Sequence, residues 1–347
     1  MSSSATESLL VTGATGCVGS HVCLRAQALG LPVRGLVRLS SEADWLRRVE
    51  IPVATADLAN ADLANADLAN ADLASLDSLA EAVDGVTRVA HCAARLGIGS
   101  PLDYRRLHVE GLRRLLAALA RQGSVRQFVL LSSLGVHALR DHHGTDETVS
   151  PAERGLGACL ATLVEAEQLA LDWGVTQGVA VTVLRPGLIY GPRERWVLPL
   201  LLRRLREQSF RFLGGGTQQL SNTGVDNLVT ALFAALDAPH AAGQIYHITD
   251  DPVVTQLEFI GTICELAGYP EPRAALPLAW ARLAPRLPRW LRPNDDADET
   301  ATELRLLGWN RGFSIAKARR ELGYQPAVPF AEGMRQTIDW YRTQGLL

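Results

Sequence analysis

The 347-residue chain has little lysine, no clustered cysteine and no long apolar run. Lys317 is its single lysine, so arginine supplies nearly all of its basic charge. The five scattered cysteines predict reduced thiols in a cytoplasmic protein, with neither a disulfide framework nor a metal site. We expect no membrane span and no signal peptide, because no run is long and apolar enough and no basic region opens the chain. The net charge of −3 indicates no surface for nucleic acid.

Short apolar runs alternate with helical stretches in the first half of the chain. The pattern predicts strands at 8–12, 32–39, 51–55, 87–93, 126–131 and 179–184, and helices at 16–29, 104–122 and 159–177. Such alternation is typical of an α/β fold, a doubly wound parallel sheet with helices on both faces and right-handed crossovers. After residue 187 the pattern loosens, which predicts a smaller mixed unit.

A glycine-rich loop follows the first predicted strand and opens the first predicted helix. Gly13 allows the tight turn, Gly16 lets the backbone approach a pyrophosphate, and Gly19 lets the helix pack on the strand. The backbone N–H groups of Thr15, Cys17 and Val18 would face the phosphates at the helix N-terminus. The loop therefore predicts a dinucleotide-binding Rossmann domain.

We divide the chain accordingly. Residues 1–187 are predicted to form the Rossmann domain, and 188–347 mainly a substrate-side domain. Residues 225–240 are expected to return to the Rossmann domain. Residues 56–75 form four near-identical pentapeptides that resemble pentapeptide-repeat proteins. We favour a tandem duplication that lengthens a surface connection over a coil packed on the sheet edge, because four units are too few to bury a core alone.

The TGxxGxxG spacing resembles the extended short-chain dehydrogenase/reductase family, of the epimerase/dehydratase superfamily. Further matching segments are Ala56-Asp57-Leu58, His91-Cys92-Ala93-Ala94, Leu184-Arg185-Pro186-Gly187, Ile189-Tyr190-Gly191-Pro192 and Val225-Asp226-Asn227. The C-terminal segment 313–326 resembles the 3β-hydroxysteroid dehydrogenase-like branch. The resemblance implies that Asp57 and Leu58 contact adenine, and that Ala93, Ala94 and Pro186 also line the cofactor site.

The end of the second predicted strand bears on the choice of cofactor. NAD enzymes usually carry an acid there for the ribose 2′-hydroxyl, whereas this chain has Arg38 and Ser40 and no acid before Glu42. Because a guanidinium matches phosphate geometry, we favour NADP over NAD. The alternative is that Arg38 stacks on adenine with either cofactor.

The catalytic residues of the family are only partly present. The resemblance implies a Tyr-x-x-x-Lys pair, a serine and an asparagine. Ser133 takes the serine position, but Cys159 stands in the tyrosine position, Leu163 in the lysine position and His108 in the asparagine position. Since Lys317 is preceded four residues earlier by Phe313, no Tyr-x-x-x-Lys occurs anywhere in the chain.

Two functions follow from this pattern. The first is an oxidoreductase with altered residues, in which Ser133, Cys159 or His108 acts on a hydroxyl or keto group of an apolar small molecule. The second is a catalytically inactive dinucleotide-binding protein that serves as a sensor or partner. We favour the first.

Two histidines and one tryptophan-rich segment also allow more than one interpretation. His142 and His143 are interpreted as loop residues rather than metal ligands, because adjacent side chains diverge. The segment 280–293 alternates tryptophan and leucine with arginine. We favour an ordinary part of the substrate domain over a lid or a membrane-surface element, because prolines interrupt it. A homodimer stays open, since the sequence does not give the oligomeric state.

Overall fold

A computed structural model describes residues 7–38, 41, 43–59, 73–95, 99–283 and 307–347. Its strands, in chain order, are β1 (Leu9–Thr12), β2 (Val33–Val37), β3 (Val53–Thr55), β4 (Arg88–His91), β5 (Gln127–Leu131), β6 (His142–Thr145), β7 (Ala180–Pro186), β8 (Leu188–Tyr190), β9 (Phe212–Leu213), β10 (Asn222–Gly224), β11 (Ile245–Ile248), β12 (Ala275–Leu276) and β13 (Arg311–Phe313).

Helices fill most of the connections between these strands. They are α1 (Cys17–Ala28), α2 (Asp44–Arg48), α3 (Leu73–Val83), α4 (Pro101–Arg105), a π-helical turn (Arg106–Gly111), α5 (Leu112–Gln122), α6 (Ala158–Gln177), α7 (Val197–Arg206), α8 (Val225–Leu236), α9 (Gln256–Ala267), α10 (Leu278–Leu283), α11 (Ala316–Leu322) and α12 (Phe330–Thr343), with short 3₁₀ turns at 134–136, 214–216 and 239–241.

The central sheet of the described residues has seven parallel strands in the order β11-β7-β5-β4-β1-β2-β3. This confirms the predicted doubly wound α/β fold. The chain order reverses between β1 and β4, and at such a point the carboxyl ends of the strands leave a crevice that can hold a ligand. The loop after β1 opens into this crevice.

Helices cover both faces of the sheet, because the strands carry apolar side chains on both sides and these must be buried. Leu9 and Val11 belong to a buried cluster with α1, α8 and part of α11. Leu10 faces the other way, into a cluster with α3, α5 and α6. Alternate residues of one strand therefore pack on opposite helix layers.

A third buried cluster lies in the second half of the chain. It joins β8 and β9 to α7, α9 and α12. The second half of the chain also contributes to the main sheet and its helix layer. α8 packs against α1, and Ala318 of α11 lies in the first cluster. β11, which follows residue 240 in the chain, is an edge strand of the main sheet.

The interpretation of His142 and His143 as loop residues is wrong. They begin β6, which pairs in parallel with β13. The His142 ring is buried and stacks on Phe313, with 4.5 Å between ring centroids. Among the described residues, no group of three histidine, cysteine or acidic residues could hold a metal ion.

Two predicted segments fall largely outside the described residues. Residues 60–72 of the pentapeptide run and residues 284–306, which include most of the tryptophan- and arginine-rich segment, are not described. Within the part of the chain that the structure does describe, no helix is long and apolar enough to cross a membrane.

Candidate functional site

The glycine loop packs so closely that two of its positions leave no room for a side chain. Gly13 has a left-handed φ of 66°, and a Cβ there would lie 2.8 Å from the carbonyl oxygen of Cys92. A Cβ on Gly19 would overlap the carbonyl oxygen of Gly13. The Gly16 N–H donates to that same carbonyl at 2.9 Å and closes the turn. The loop thus brings its backbone to the crevice without intervening side chains.

The first turn of α1 has backbone N–H groups that could bind an anion. Gly16 is its N-cap residue, with extended backbone angles, and no side chain caps the helix. Gly16 is exposed and Thr15 half-buried. The first N–H groups of a helix have no intrahelical partner and carry partial positive charge, so they attract phosphate. This backbone cradle fits the pyrophosphate of a dinucleotide.

The Cys17 side chain does not belong to that cradle. Its Sγ lies 3.4 Å from the carbonyl oxygen of Pro192, to which the thiol donates. Burial, together with Glu194, raises the pKa of Cys17 far above the ordinary range of a thiol. The thiol is therefore protonated at neutral pH, and only the backbone N–H of Cys17, like that of buried Val18, is suited to a phosphate.

The residues predicted to contact the adenosine half follow β2 and β3. Arg38 comes directly after β2 and is exposed, whereas Ser40 lies outside the described residues. Asp57 follows β3, and its Oδ1 accepts the Ala59 N–H at 2.9 Å. Leu58 is buried, and its carbonyl oxygen accepts from the Arg114 guanidinium at 2.9 Å.

The loop after β4 is held on its cofactor side by a threonine and a histidine. Thr12 Oγ1 accepts the Ala93 N–H at 3.2 Å and lies 2.9 Å from Nδ1 of buried His91. Ala93 is half-buried and Ala94 exposed, beside the glycine loop through Cys92. Pro186 ends β7 as a buried residue. The predicted cofactor residues thus lie at the carboxyl edge of the sheet.

Ser133 lies two residues after the end of β5, in a turn that packs against α6. It is the N-cap of the 134–136 turn, and its Oγ accepts the Gly135 N–H at 3.0 Å. A side chain at 135 would crowd both this hydroxyl and Leu160 of α6. Since the hydroxyl oxygen accepts, its hydrogen stays available for a substrate oxygen. Ser133 is half-buried, which gives that oxygen access.

His108 is buried in the π-helical turn with both ring nitrogens engaged. Its Nε2 lies 3.0 Å from the Arg95 backbone nitrogen and its Nδ1 lies 2.9 Å from Thr162 Oγ1. A backbone N–H can only donate, so Nε2 accepts and the ring proton sits on Nδ1. Burial lowers the pKa of His108 to about 4. This geometry does not fit the predicted role of proton donor, because a neutral, fully bonded ring offers no proton to a substrate.

Cys159 and Leu163 lie on the first turns of α6. The Cys159 thiol is half-buried and donates to the Arg95 carbonyl oxygen at 3.4 Å, so it lies beside the same loop as His108. Leu163 is buried. Lys317, the single lysine of the chain, lies elsewhere: its Nζ bonds Gln244 at 2.8 Å and the Ile245 carbonyl oxygen at 3.0 Å, where β11 begins at the amino end of the sheet.

A buried polar layer beneath the site was not predicted. The Arg185 guanidinium and the Glu167 carboxylate form two hydrogen bonds, of 2.9 and 2.6 Å, with both side chains almost fully buried. The pair fixes α6 to β7. Nε2 of His137 lies 3.1 Å from Nε2 of His247, and burial lowers the pKa of these histidines to about 2 and about 3. Arg185 and Glu167 both lie in segments that resemble the family, but no local pattern pairs two residues that are 18 positions apart.

The crevice, the glycine cradle and the threonine–histidine anchor define a dinucleotide-binding fold of the Rossmann class. A family model described as the NAD dependent epimerase/dehydratase family matches residues 9–249. The chain therefore belongs to the NAD-dependent epimerase/dehydratase family. This confirms the resemblance inferred from the sequence.

Two curated relatives are similar over much of the chain. One, from Stigmatella aurantiaca, is a 4-hydroxy-2-methyl-3-oxo-4-farnesyl-3,4-dihydroquinoline-1-oxide ketoreductase, 28% identical over 93% of each chain. The other, from Arabidopsis thaliana, is 3beta-hydroxysteroid-dehydrogenase/decarboxylase isoform 1, 30% identical over 67% of this chain and 57% of its own length. A solved structure, UDP-glucuronic acid 4-epimerase from Bacillus cereus in complex with NAD, has a TM-score of 0.73 at 20% identity and covers 97% of this chain and 99% of its own.

Proposed function

We propose that the protein is an NADP-preferring oxidoreductase that acts on a keto or hydroxyl group of an apolar small molecule. The observation that carries the proposal is the uncapped N-terminus of α1 behind the glycine cradle of Gly13 and Gly19. Exposed Arg38, with no acid at the end of β2, supports NADP over NAD. When bound, the nicotinamide would supply or accept a hydride.

The chain's own residues then have two tasks at the substrate oxygen. Ser133 donates a hydrogen bond that orients a carbonyl oxygen. Cys159, half-buried at the start of α6, turns its S–H from the Arg95 carbonyl oxygen to the substrate and supplies the proton that the reduced oxygen needs. Leu163 provides no charge to adjust either group, so we expect slow turnover compared with a complete Tyr-x-x-x-Lys site.

The substrate class rests on the relatives. The Stigmatella ketoreductase is named for a farnesylated quinoline oxide and the Arabidopsis protein for a hydroxysteroid. Both compounds join an oxygenated carbon to a large apolar skeleton. We propose a substrate of the same character. A cytoplasmic location fits the five cysteines, none of which forms a disulfide.

A catalytically inactive dinucleotide-binding protein is the second candidate. Buried Leu163 favours it, because a leucine can neither lower the pKa of a proton donor nor bind a ribose. This candidate shares the cofactor site with the first and differs only in the chemistry that follows.

One experiment separates the two. NADP and NAD are titrated into the purified protein, and NADPH oxidation is followed with a panel of hydrophobic ketones. Turnover that falls at least about 100-fold in Ser133→Ala, at unchanged NADP affinity, supports the oxidoreductase. Tight binding of NADP without turnover supports the inactive protein. Tighter binding of NAD than NADP would contradict the cofactor preference.

A further inference from the structure

One segment of the smaller unit lies against the helices that flank the cofactor crevice. We call residues 191–196 the clasp segment. The carbonyl oxygen of Pro192 accepts from the Cys17 thiol on α1. The guanidinium carbon of Arg193 lies 3.6 Å from the ring centroid of Trp45 on α2. α1 follows β1 and α2 follows β2, so both helices begin at the carboxyl edge of the sheet, where the clasp segment spans them.

The backbone of the clasp segment is held firmly. The buried Glu194 carboxylate accepts the N–H groups of Trp196 at 2.7 Å and Leu198 at 2.7 Å, and so caps α7. The Tyr341 hydroxyl donates to the Glu194 carbonyl oxygen. Arg193 has a left-handed φ of 68°, a backbone angle that residues other than glycine rarely adopt. Such a conformation persists only where surrounding contacts fix it, as they do here.

The charge of Arg193 is not neutralised within the described residues. None of their carboxylates forms an ion pair with it, and its N–H groups donate no hydrogen bond to them. Neighbouring Glu194 is turned to α7 instead. Burial, with the Arg195 cation beside it, holds the pKa of Arg193 below its usual range. An anion at this position would satisfy both the charge and the donors.

Topology indicates which anion this is. In a Rossmann fold the ribose 2′ substituent lies just beyond the second strand, where an arginine can accommodate a 2′-phosphate. Trp45 is the second residue of the helix that follows β2, and Arg38 directly follows the strand. A guanidinium stacked on an indole keeps its in-plane N–H groups directed outward, which suits the oxygens of a phosphate.

We propose that Arg193 binds the 2′-phosphate of NADP together with Arg38, and that Trp45 holds its guanidinium in place. This inference rests on the proposed binding of NADP. It makes the smaller unit contribute to the choice of cofactor, through a residue more than 150 positions beyond Arg38 in the chain. The pyrophosphate is the competing anion, and it is common to NAD and NADP.

The test compares dissociation constants for NADP and NAD in the full-length protein and in Arg193→Gln, by calorimetry. We expect NADP binding to weaken roughly 10-fold or more and NAD binding to change less than about 3-fold, because charge-assisted bonds to the 2′-phosphate exist only with NADP. Arg25→Gln, an exposed arginine at the far end of α1, is the matched control and should change neither constant. Arg193→Lys, which keeps the charge but loses the planar fork, should lie between.

Tryptophan fluorescence gives a second readout that does not depend on turnover. Binding of NADP should change the emission of the wild-type protein, and Trp45→Phe should remove most of that change. Equal weakening for NAD and NADP in Arg193→Gln would assign the residue to the pyrophosphate and overturn the proposal, as would no change at all. Failure of the wild-type protein to bind either dinucleotide would instead overturn the proposed function.

Discussion

The loop after β4 is anchored twice, once on the cofactor side and once on the catalytic side. On the cofactor side the Ala93 N–H donates to Thr12 Oγ1, which lies against Nδ1 of His91. On the catalytic side the Arg95 N–H donates to Nε2 of His108, whose Nδ1 lies against Thr162 Oγ1. Each anchor therefore consists of one threonine, one histidine and one backbone N–H.

The two anchors differ in how far the backbone fixes the proton of the histidine. Thr12 Oγ1 accepts the Ala93 N–H and can still either donate to or accept from Nδ1 of His91, so this contact is compatible with both tautomers of His91. Thr162 donates to the Cys159 carbonyl oxygen at 2.8 Å, so it accepts from Nδ1 of His108. The backbone thus fixes the tautomer of His108, and burial keeps both rings neutral at pH 7. In the sequence, His91 lies in a segment that resembles the family, and His108 lies where the resemblance implies an asparagine, yet both rings support the same loop.

The largest expected loss of stability comes from breaking the buried ion pair between Glu167 and Arg185. Glu167→Gln leaves the Arg185 guanidinium buried and without its carboxylate, so we expect the free energy of unfolding to fall by about 3–5 kcal/mol. Urea unfolding followed by circular dichroism measures it. The control is Glu165→Gln on the same helix, whose half-exposed pair with Arg105 should contribute no more than about 1 kcal/mol. Equal losses in the two variants would contradict the prediction.

The cofactor-side anchor should be the next most sensitive. Thr12→Val keeps the shape of the side chain but leaves the Ala93 N–H and Nδ1 of His91 without a partner, at a cost of about 1–3 kcal/mol of stability. The dissociation constant for NADP should rise as well, because the loop borders the glycine cradle. Thr230→Val is the control, since that exposed hydroxyl bonds only its own helix, at the Asp226 carbonyl. A larger loss in Thr230→Val would show that the Thr12 hydroxyl is not an anchor.

These two anchors also mark the limit of what sequence could predict. The sheet and the glycine loop follow from local patterns, because strand periodicity and turn glycines act over a few residues, whereas Ser133 is identified through the family resemblance. Both anchors depend on contacts between residues far apart in the chain, such as Thr12 with His91. The sequence offers His108 as a candidate proton donor, whereas in the structure its ring is buried and both of its nitrogens are bonded. The pairing of β6 with β13 escaped prediction for the same reason.

The two anchors should also be distinguishable by pH. His108 has a pKa of about 4 in the folded protein, below the value of about 6.5 for a free histidine. Above pH 6.5 neither state is protonated there. As the pH falls from 6.5 towards 4, the unfolded chain takes up a proton that the folded protein does not, so stability falls by roughly 1.4 kcal/mol per pH unit. His108→Asn should lessen the slope of unfolding free energy against pH by that amount.

The remaining slope would come from histidines that burial also holds neutral. Burial lowers the pKa of His91 to about 3 in the folded protein. Protonation of His91 in the unfolded chain therefore still makes the stability of the His108→Asn protein depend on pH. His240→Asn is the control, because that side chain is exposed at the surface. Identical pH profiles for wild-type protein and His108→Asn would show that His108 is already solvated in the folded state.

The smallest effect is expected at Cys159, which contacts the same residue as His108. Its thiol reaches the Arg95 carbonyl oxygen at 3.4 Å, whereas the His108 ring holds the Arg95 N–H at 3.0 Å from a fully buried position. A thiol is a weak donor and Cys159 is only half-buried, so Cys159→Ser should change the unfolding free energy by less than about 1 kcal/mol. The NADP dissociation constant should stay within about 2-fold of wild type, measured by calorimetry. A loss as large as that of His108→Asn would mean that the thiol, and not the imidazole, holds this side of the loop, and the two anchors would no longer be equivalent.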